Sequence, residues 1–563
     1  IMNVRNTKNL IDLFFDKLEE VDTSKVLLQW LKPKSNKQYT WNEVSEKIFK
    51  LSNLIRPIIN EGDRCLLLSE NRPEWLIADI AIMNAGGISV PIFTTYSDDD
   101  YKYIINDCKP TIIIVSNETQ FQKIKNYINK EIKLVISFEE IKHKSILIED
   151  VCNQPLLNKN RNKNLNRKSP ACIIYTSGTS GKPKGVVLSH GGILSNCEGA
   201  LEVLNTLIKK KKIIFLTWLP LSHSYEHTVQ FIQILIGAKI FYAESLEKLI
   251  LNMIEAKPTI MTAVPRFYQN LFNKINLNFS KQKGIKKILI NQTLELGKKI
   301  LNKKKMKITE KIINIFCDIL IRKKIKKQFG GNLEAFISGG GALDQNIGEF
   351  LNAIGLPTLQ GYGLTEASPV VSCNLPGQIK VDTVGPAFKT NEVKLAEDGE
   401  ILIRGENVML GYWNKKKETE EIIKNNWLYT GDIGEIDSDG FLKITDRKKD
   451  LIVNFGGDNI SPTKIENFLC LNNNIKQSFV YGDKKNYLVA LLVVEKNFTT
   501  QDLIAEYIDN LNEKLSSIEK IKKYFIISNE FTIENKMLTP TLKLRRKEIV
   551  RMYFNQIENL YQT

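Results

Sequence analysis

Short apolar runs rich in β-branched residues alternate with helical patterns along the first half of the chain, and this alternation restricts the fold more than any other feature. The runs lie at residues 111–115, 134–136 and 213–217, and the helical patterns at 41–55 and 192–207. Strands that alternate with helices predict layers of α/β structure around mostly parallel sheets. Because 563 residues exceed what one hydrophobic core usually supports, we expect a large body of two or three subdomains and a smaller separate domain.

A polar segment between two predicted strands, at 172–176 and 185–189, has the composition of a phosphate-binding loop. Gly178 and Gly181 let backbone N–H groups approach an anion, and Lys184 adds positive charge. The hydroxyl groups of the segment belong to Thr176, Ser177, Thr179 and Ser180. A Walker A loop is excluded, because the two glycines are too close together and proline follows the first lysine. Taken alone, the segment also fits a Gly/Ser-rich surface hairpin.

Composition and charge exclude several classes of protein. The net charge of +16 comes with abundant lysine, asparagine and isoleucine throughout the chain, so we attribute it to a broad compositional bias and expect no nucleic-acid partner. Eight scattered cysteines without a C-x-x-C pair indicate reduced thiols in the cytoplasm, with neither a disulfide framework nor a zinc site. The first residues lack the apolar core of a signal peptide. Polar residues and glycines interrupt the apolar stretch at 76–93, which predicts a helix, a turn and a strand.

Residues 281–327 form a lysine-rich segment with a helical pattern of apolar residues. Such a segment is able to lie on the surface of an anionic membrane. The composition favours the alternative, a helical hairpin packed on the body of the protein with its lysines in water. Peripheral membrane attachment is therefore a hypothesis at this point, and the sequence indicates no oligomeric state.

The pattern of the chain changes from Gly399 onward, where short predicted strands and turns replace the alternation of strands and helices. Residues 446–450 are predicted to form a charged linker. The roughly 110 residues that follow suffice for a small α+β domain.

Two glycine-containing clusters follow predicted strands. Gly339, Gly340 and Gly341 come after an apolar run at 333–337, where a flat ring or a pyrophosphate could approach the backbone. The segment 360–366 supplies an aromatic ring for stacking, together with a hydroxyl and a carboxylate suited to phosphate and Mg²⁺. These three groups belong to Tyr362, Thr365 and Glu366.

Two further clusters lie downstream. Asp432 and Arg447 offer an acceptor and a donor that could hold ribose hydroxyls. Lys543 lies on a turn-like segment of the predicted small domain. Taken singly, each cluster has an ordinary interpretation, such as a β-turn at 430–432 or a solvated cation at 543.

Taken in this order, the five clusters resemble those of the AMP-forming acyl-CoA synthetases, a branch of the adenylate-forming superfamily. The resemblance is collinear from residue 40 to residue 550, and the segments 219–227, 446–452 and 456–462 look most like those of bacterial long-chain fatty acid CoA ligases. The resemblance implies an α/β fold in three parts. They are a large N-terminal domain at 1–446 with layered α/β subdomains and a β-rich subdomain, a hinge at 447–450, and a small mobile α+β domain at 451–563.

The resemblance further implies a two-step reaction with ATP, Mg²⁺ and CoA. A fatty acid carboxylate attacks the α-phosphate of ATP to give an acyl-adenylate and pyrophosphate, and the thiol of CoA then displaces AMP. Since a carboxylate is a poor nucleophile that repels the triphosphate, the protein must supply positioning and positive charge and needs no covalent nucleophile. Two alternatives stay open: a ligase that passes the acyl group to a carrier protein, and a non-catalytic protein that binds lipid or nucleotide.

Roles for individual residues also come from the resemblance. Lys543 is expected to bridge the carboxylate and the α-phosphate, Thr365 to donate to that phosphate, and Thr176 and Glu366 to hold Mg²⁺. His223 corresponds to a position beside the acyl pocket. The adenine is assigned to Tyr362 and the three glycines at 339–341, the ribose to Asp432 and Arg447. The remaining expected ATP contacts are Thr176, Ser177, Gly178, Thr179, Ser180, Gly181, Lys184, Gln360, Gly361 and Gly363.

The second step requires the small domain to rotate, because CoA must enter where the lysine lies in the first step. Lys449 matches the hinge position of the family, and rotation is expected to bring Gly456 and Gly457 towards the CoA tunnel. Asp458 departs from the family pattern, since close relatives often carry lysine there. We therefore expect no phosphate contact from residue 458.

Overall fold

The computed structural model describes residues 4–35, 37–176, 182–208, 212–495 and 501–562. Two eight-stranded sheets lie in the larger, N-terminal part of the chain, and smaller sheets follow. The strands are β1 (Val26–Trp30), β2 (Gln38–Thr40), β3 (Arg64–Leu68), β4 (Ile88–Ile92), β5 (Ile112–Val115), β6 (Leu134–Ser137), β7 (Ile146–Leu147), β8 (Pro170–Thr176), β9 (Lys184–Ser189), β10 (Ile214–Thr217), β11 (Lys239–Tyr242), β12 (Ile260–Ala263), β13 (Ala335–Ser338), β14 (Thr358–Gly363), β15 (Val370–Cys373), β16 (Asn391–Leu395), β17 (Glu400–Gly405), β18 (Gly411–Tyr412), β19 (Ile423–Lys424), β20 (Trp427–Ile436), β21 (Leu442–Arg447), β22 (Ile452–Val453), β23 (Asn459–Ile460), β24 (Ile475–Tyr481), β25 (Leu488–Val494) and β26 (Ile521–Ile527).

Parallel pairing dominates both eight-stranded sheets. The first has the order β15-β14-β13-β12-β10-β11-β1-β2, and the second has the order β18-β9-β8-β4-β3-β5-β6-β7. Only the pairs that involve β15, β2, β9 and β18, at the ends of these orders, are antiparallel among the described strands. The expectation of mostly parallel α/β layers is confirmed. In such sheets the loops at the carboxyl ends of the strands are the usual place for a binding site.

A layer of buried helices joins the two large sheets. One hydrophobic cluster contains residues of both sheets together with residues of α1, α2, α3, α7 and α8. The helices of the chain are α1 (Leu10–Glu20), α2 (Trp41–Ile55), α3 (Pro73–Asn84), α4 (Asp98–Cys108), α5 (Glu118–Ile124), α6 (Ile148–Cys152), α7 (His190–Ile208), α8 (Ser224–Leu235), α9 (Leu249–Ala256), α10 (Pro265–Ser280), α11 (Gly284–Leu301), α12 (Ile308–Cys317), α13 (Lys323–Lys327), α14 (Gln345–Ala353), α15 (Lys416–Ile422), α16 (Pro462–Leu469), α17 (Gln501–Asn512), α18 (Arg546–Met552) and α19 (Phe554–Tyr561).

The central helices α3 and α8 are buried along their whole lengths. Inside this layer, His227 Nε2 lies 2.8 Å from Asp79 Oδ2, and both side chains are fully buried. Burial disfavours a charged imidazole, but Asp79 outweighs it and raises the pKa of His227 to about 10. The pair is therefore ionic and ties α3 to α8 under the site described below.

Local signals in the sequence account for the starts of several helices. Thr40 and Glu43 form a capping box at α2, and Ser97 and Asp100 form another at α4. The stretch at 76–93 follows the predicted order of helix, turn and strand, as the end of α3 and all of β4. Its polar groups are satisfied internally: Ser89 Oγ, for example, donates to the buried Asp79 at 2.6 Å.

A β-rich unit and a small α+β unit follow the two large sheets. The first is built from β16, β17, β20 and β19 with β21 paired to β20; the second contains β22 to β26 and α16 to α19. The predicted charged linker at 446–450 is wrong at its start, because Asp446 and Arg447 end β21 and pair across the sheet with Ile433 and Asp432. Their charges have partners: Ser461 Oγ donates to Asp446 at 2.7 Å, for example.

The lysine-rich segment at 281–327 is helical, as the sequence predicts. It comprises α11, α12, a π-helical turn at Asp318–Arg322 and α13. Across the described part of the chain, every helix is either too short or too polar to span a bilayer.

Candidate active site

A cavity of about 930 Å³ lies where both large sheets, the β-rich unit and the small C-terminal unit meet. Its size is at the upper end of the usual range for ligand pockets, about 300–1,000 Å³. Polar and charged groups gather at one part of its wall and apolar side chains at another. The predicted site residues that line it are Thr176, Lys184, His223, Gly339, Gly340, Gly361, Tyr362, Gly363, Thr365, Glu366, Arg447, Lys449 and Lys543.

Two glycines allow close packing behind the polar wall. A Cβ on Gly339, directly after β13, would lie 2.8 Å from two ring atoms of Tyr225, so only glycine fits without moving the ring. The ring is held in place because Tyr225 Oη donates to the carbonyl oxygen of Ile337 at 3.1 Å. At the end of β14, a Cβ on Gly363 would collide with the backbone of Pro369. The cavity wall is therefore bare backbone at both places.

The start of α8 brings a hydroxyl and an imidazole to the cavity. Ser224 Oγ and Thr365 Oγ1 lie 3.0 Å apart, so each fixes the position of the other. His223 caps α8, with Nδ1 accepting from the backbone N–H of Tyr225 at 3.4 Å. Burial, and to a lesser extent the positive charge of Lys543, lowers the pKa of His223 to about 3. The imidazole is therefore neutral at physiological pH.

Tyr362, Asp432 and Arg447 form a compact group across β14, β20 and β21. Tyr362 Oη donates to Asp432 Oδ2 at 2.6 Å, and Arg447 Nε lies 3.4 Å from Asp432 Oδ1. Burial, and then Asp432, raises the pKa of Tyr362, so its hydroxyl stays protonated and remains a donor. Asp432 itself lies behind the cavity wall, with 5% of its surface exposed. It holds Tyr362 and Arg447, the two residues that face the cavity.

Lys543 enters the cavity from the C-terminal unit on a closed turn. The backbone N–H of Lys543 donates to Thr539 Oγ1 at 3.1 Å, and the N–H of Thr539 donates to the carbonyl of Lys543 at 2.8 Å. The Lys543 side chain is exposed, but to the cavity that it lines. Burial among the surrounding protein atoms, and then the charge of Arg447, lowers the pKa of Lys543 to about 8. The residue is a cation at neutral pH, close to its point of deprotonation.

Glu366 contributes a carboxylate to the polar wall. Its Oε1 accepts a hydrogen bond from Tyr412 Oη at 2.8 Å, and Lys184 Nζ lies 5.0 Å from the centre of the Tyr412 ring. Tyr412 was not identified from the sequence, where no local signal distinguishes it. Its strand, β18, pairs with β9 and so brings the ring beside the predicted phosphate loop.

The predicted phosphate loop is described only at its two ends. β8 ends at Thr176 and β9 begins at Lys184, and Thr176 pairs with Lys184 across this antiparallel hairpin. Ser177, Gly178, Thr179, Ser180 and Gly181 lie outside the described residues. The strands on both sides of the loop agree with the prediction to within two residues.

Besides Asp432, four predicted residues lie away from the cavity wall. Gly341 follows its cavity-lining neighbours in the loop after β13, and Gln360 precedes its own in β14, where its carbonyl accepts from the N–H of Asn374 at 3.0 Å. Gly456 and Gly457 form the exposed turn between β22 and β23. Asp458 closes this turn, because its Oδ2 accepts from Asn454 Nδ2 at 3.0 Å.

The apolar part of the cavity is formed by α7, α8 and nearby strands. The sequence analysis did not identify most of these residues, since a helical pattern does not reveal which buried face borders a cavity. Aliphatic and aromatic side chains here come from Ala200, Val203, Leu204, Phe215, Val229, Ile232, Val370 and Phe388.

Comparison with known families agrees with the resemblance inferred from the motifs. Residues 16–413 match the AMP-binding enzyme family, and residues 449–563 match the C-terminal domain of AMP-binding enzymes. The chain belongs to the AMP-binding enzyme family. The first matched region contains the cavity residues from Thr176 to Tyr412, and the second contains Lys543.

Similar proteins come from several kingdoms. Long-chain-fatty-acid–CoA ligase FadD15 of Mycobacterium bovis is 29% identical over 532 residues, which cover 89% of this chain and 88% of the relative. Long chain acyl-CoA synthetase 3 of Arabidopsis thaliana is 28% identical, with 93% of this chain and 87% of the relative covered. Among solved structures, ATP-bound MatB from Rhodopseudomonas palustris has the same fold, with a TM-score of 0.75, 21% identity and coverage of 98% and 99%.

Proposed function

We propose that this member of the family is an ATP-dependent fatty acid–CoA ligase. One observation carries the proposal: a cationic, hydroxyl-lined wall and an apolar wall belong to one cavity of about 930 Å³. A nucleotide needs the first and an alkyl chain the second, and their junction is where a carboxylate would meet the α-phosphate. The names of the relatives from Mycobacterium bovis and Arabidopsis thaliana agree with this substrate class.

Adenylation would take place at the cationic wall. Lys543 approaches from the small domain as a cation, and would neutralise both the carboxylate and the α-phosphate as they come together. Thr365, whose hydroxyl oxygen lies 3.0 Å from that of Ser224, would donate a hydrogen bond to the same phosphate. Tyr362 and the bare backbone at Gly339 and Gly340 would form the adenine site, and Arg447 would bind the ribose. The neutral His223 borders the acyl side of the junction without adding a charge that would repel Lys543.

The residues present fit a Mg²⁺ ion that is held mainly by the nucleotide. Mg²⁺ usually keeps one or two protein oxygens and takes the rest from phosphates and water. Glu366 provides a carboxylate on the wall and Thr176 a hydroxyl at the end of β8. The described residues contain no group of three or more His, Cys, Asp or Glu side chains that could hold a metal by themselves. When bound, the ion would supply positive charge to the phosphate oxygens.

Transfer to CoA would follow rotation of the small domain, 451–563, about a hinge at 447–450 that contains Lys449. Lys543 occupies the polar end of the cavity, so it must leave before a thiol reaches the acyl-adenylate. Rotation would bring the exposed turn at Gly456 and Gly457 to the large domain, where flexible glycines permit a close approach to CoA.

Acid-dependent exchange of labelled pyrophosphate into ATP tests the first step. We expect exchange with long-chain fatty acids in the presence of Mg²⁺, and weaker exchange as the chain is shortened. Absence of exchange with every carboxylic acid from short to long would overturn the proposal and leave a non-catalytic binding protein.

Release of AMP in the presence of free CoA tests the second step. We expect AMP and acyl-CoA in equal amounts. Formation of acyl-adenylate without any thioester to free CoA would instead indicate a ligase that delivers its acyl group to a carrier protein.

A further inference from the structure

Helix α12 exposes an unusually apolar face. Ile308, Ile312, Ile315 and Phe316 of α12, with Ile319 of the π-helical turn that follows it, have the spacing of one helical face, and between 49% and 78% of the surface of each is exposed. Within α12 itself only Cys317 is buried. A contiguous exposed patch of large aliphatic and aromatic side chains marks an interaction surface in a soluble protein.

The exposed face belongs to a firmly packed helix. Arg322, just after α12, donates to the carbonyls of Ala353 at 2.8 Å and Thr293 at 3.1 Å, and to Asn314 Oδ1 at 2.7 Å. At Gly297 of α11 the backbone comes so close to Ala353 of α14 that a side chain would collide. These contacts join the hairpin to the large domain and leave the apolar face of α12 directed outwards.

Positive charge surrounds the apolar face. Exposed lysines precede α12, lie on it and follow it. The segment 281–327 has only three acidic residues, Glu295, Glu310 and Asp318, and each lies within 4 Å of a lysine or arginine of the same segment. The lysines are Lys303, Lys304, Lys305, Lys307, Lys311, Lys323, Lys324 and Lys327. An apolar helical face bordered by lysines is complementary to the acyl and headgroup layers of an anionic bilayer.

We propose that α12 and its flanking lysines, here called the α12 surface, dock this protein onto an anionic lipid bilayer. The helix would lie in the plane of the interface, with its apolar residues in the headgroup and acyl boundary and its lysines at the phosphates. A second copy of the chain fits less well, because two such surfaces would place like charges around the shared apolar contact. The proposal concerns location, and so goes beyond the reaction proposed above.

Co-sedimentation of the full chain with lipid vesicles tests the proposal. We expect binding to vesicles of phosphatidylcholine mixed with phosphatidylglycerol, at least tenfold weaker binding to phosphatidylcholine alone, and weaker binding at high salt. Replacing Lys303, Lys304 and Lys305 by glutamine should weaken binding to the anionic vesicles about a hundredfold, from the usual contribution of each lysine near such a surface. The triple variant Ile312→Ser, Phe316→Ser, Ile319→Ser should weaken it at least tenfold.

A matched control replaces exposed apolar residues elsewhere. Met552→Ser with Phe554→Ser changes side chains that are 58% and 54% exposed on the small domain, and should leave vesicle binding unchanged. The single variant Phe316→Trp keeps the surface apolar and reports on it directly: its fluorescence should shift to the blue with anionic vesicles. Pyrophosphate exchange checks that each variant is folded.

Three results would overturn the proposal. They are equal binding to neutral and anionic vesicles, binding that neither the lysine variant nor the apolar variant reduces, and a Phe316→Trp emission that vesicles do not change. A dimer in light scattering that Phe316→Ser dissociates would assign the surface to a second copy of the chain instead.

Discussion

Gly199 gives a sensitive test of where the fatty acid chain lies. This glycine is in the middle of α7, and a Cβ added to it would lie 2.6 Å from Cγ of Phe388 and closer still to Cδ2. Phe388 lines the apolar wall of the cavity. Since ordinary contact begins at 3.4 Å, Gly199→Ala requires the ring to move by about 1 Å, and we expect it to move into the cavity that it lines.

The expected loss depends on the length of the acid. A ring displaced by this amount removes room for about one to two methylene groups, and each buried methylene contributes about 0.8 kcal/mol. We therefore expect kcat/KM for the longest accepted fatty acids to fall about fourfold to fifteenfold, with little change for short acids or in the KM for ATP. Stability should fall by about 0–2.5 kcal/mol, because overpacking costs about 1–3 kcal/mol and the helix gains only about 0.5–1 kcal/mol from alanine.

Pyrophosphate exchange across a series of saturated acids measures the effect. Gly348→Ala on α14 is the matched control, because its Cβ would meet Val381 at an ordinary 3.6 Å. The double variant Gly199→Ala, Phe388→Leu should restore activity with long acids, since the smaller side chain relieves the collision. An equal loss for all chain lengths, or no rescue by Phe388→Leu, would refute the placement of the acyl chain against Phe388.

Three further predictions concern charge. Lys543→Ala should abolish pyrophosphate exchange yet leave thioester formation from supplied acyl-adenylate largely intact; an equal loss of both would contradict the two-conformation mechanism. Burial raises the pKa of Glu226 to about 8, above the value near 4.3 of an unfolded chain, so the folded state retains a proton that the unfolded state loses between these values. The free energy of unfolding should thus fall with rising pH in this window, by up to about 1.4 kcal/mol per pH unit. Urea unfolding measures this pH dependence: Glu226→Gln should lose it, and the exposed Glu255→Gln should keep it. Asp79→Asn should cost about 3–5 kcal/mol of unfolding free energy by leaving the buried His227 charge unpaired, and a loss below 1 kcal/mol would argue against an ionic pair.

Local patterns in the sequence were enough to predict several of the strands and helices. β8 and β9 appear around the polar loop, and α2 spans the predicted 41–55, because periodicity and capping act over a few residues. The cavity residues from Thr365 to Lys543 were located through motifs that resemble those of a family. Their short spacing within each motif made them recognisable without any knowledge of the sheet order.

Side chains that meet only through tertiary structure were not predicted. Tyr412 reaches Glu366 because β18 pairs with β9, and nothing near residue 412 in the sequence indicates this pairing. The same holds for the apolar wall, where α7 and Phe388 come together from positions nearly two hundred residues apart. Asp446 and Arg447 were expected in a linker because charged runs are usually solvated. In the structure Asp432 on the neighbouring strand pairs with Arg447, and Ser461 of the small domain donates a hydrogen bond to Asp446.

The position of Arg447 relative to Lys543 suggests how one cavity serves two reactions. Arg447 ends β21 and is the first residue of the proposed hinge, at its large-domain end and in contact with Asp432, whereas Lys543 belongs to the small domain. Rotation about 447–450 would therefore withdraw the lysine while the group of Tyr362, Asp432 and Arg447 keeps hold of the nucleotide. The contacts to be broken include the hydrogen bond from Gln269 Nε2 to the carbonyl of Cys470, at 2.6 Å, which joins α10 to the small domain. Because a single hydrogen bond of this kind contributes only about 0.5–1.5 kcal/mol, it sets no large barrier to the change between the two steps.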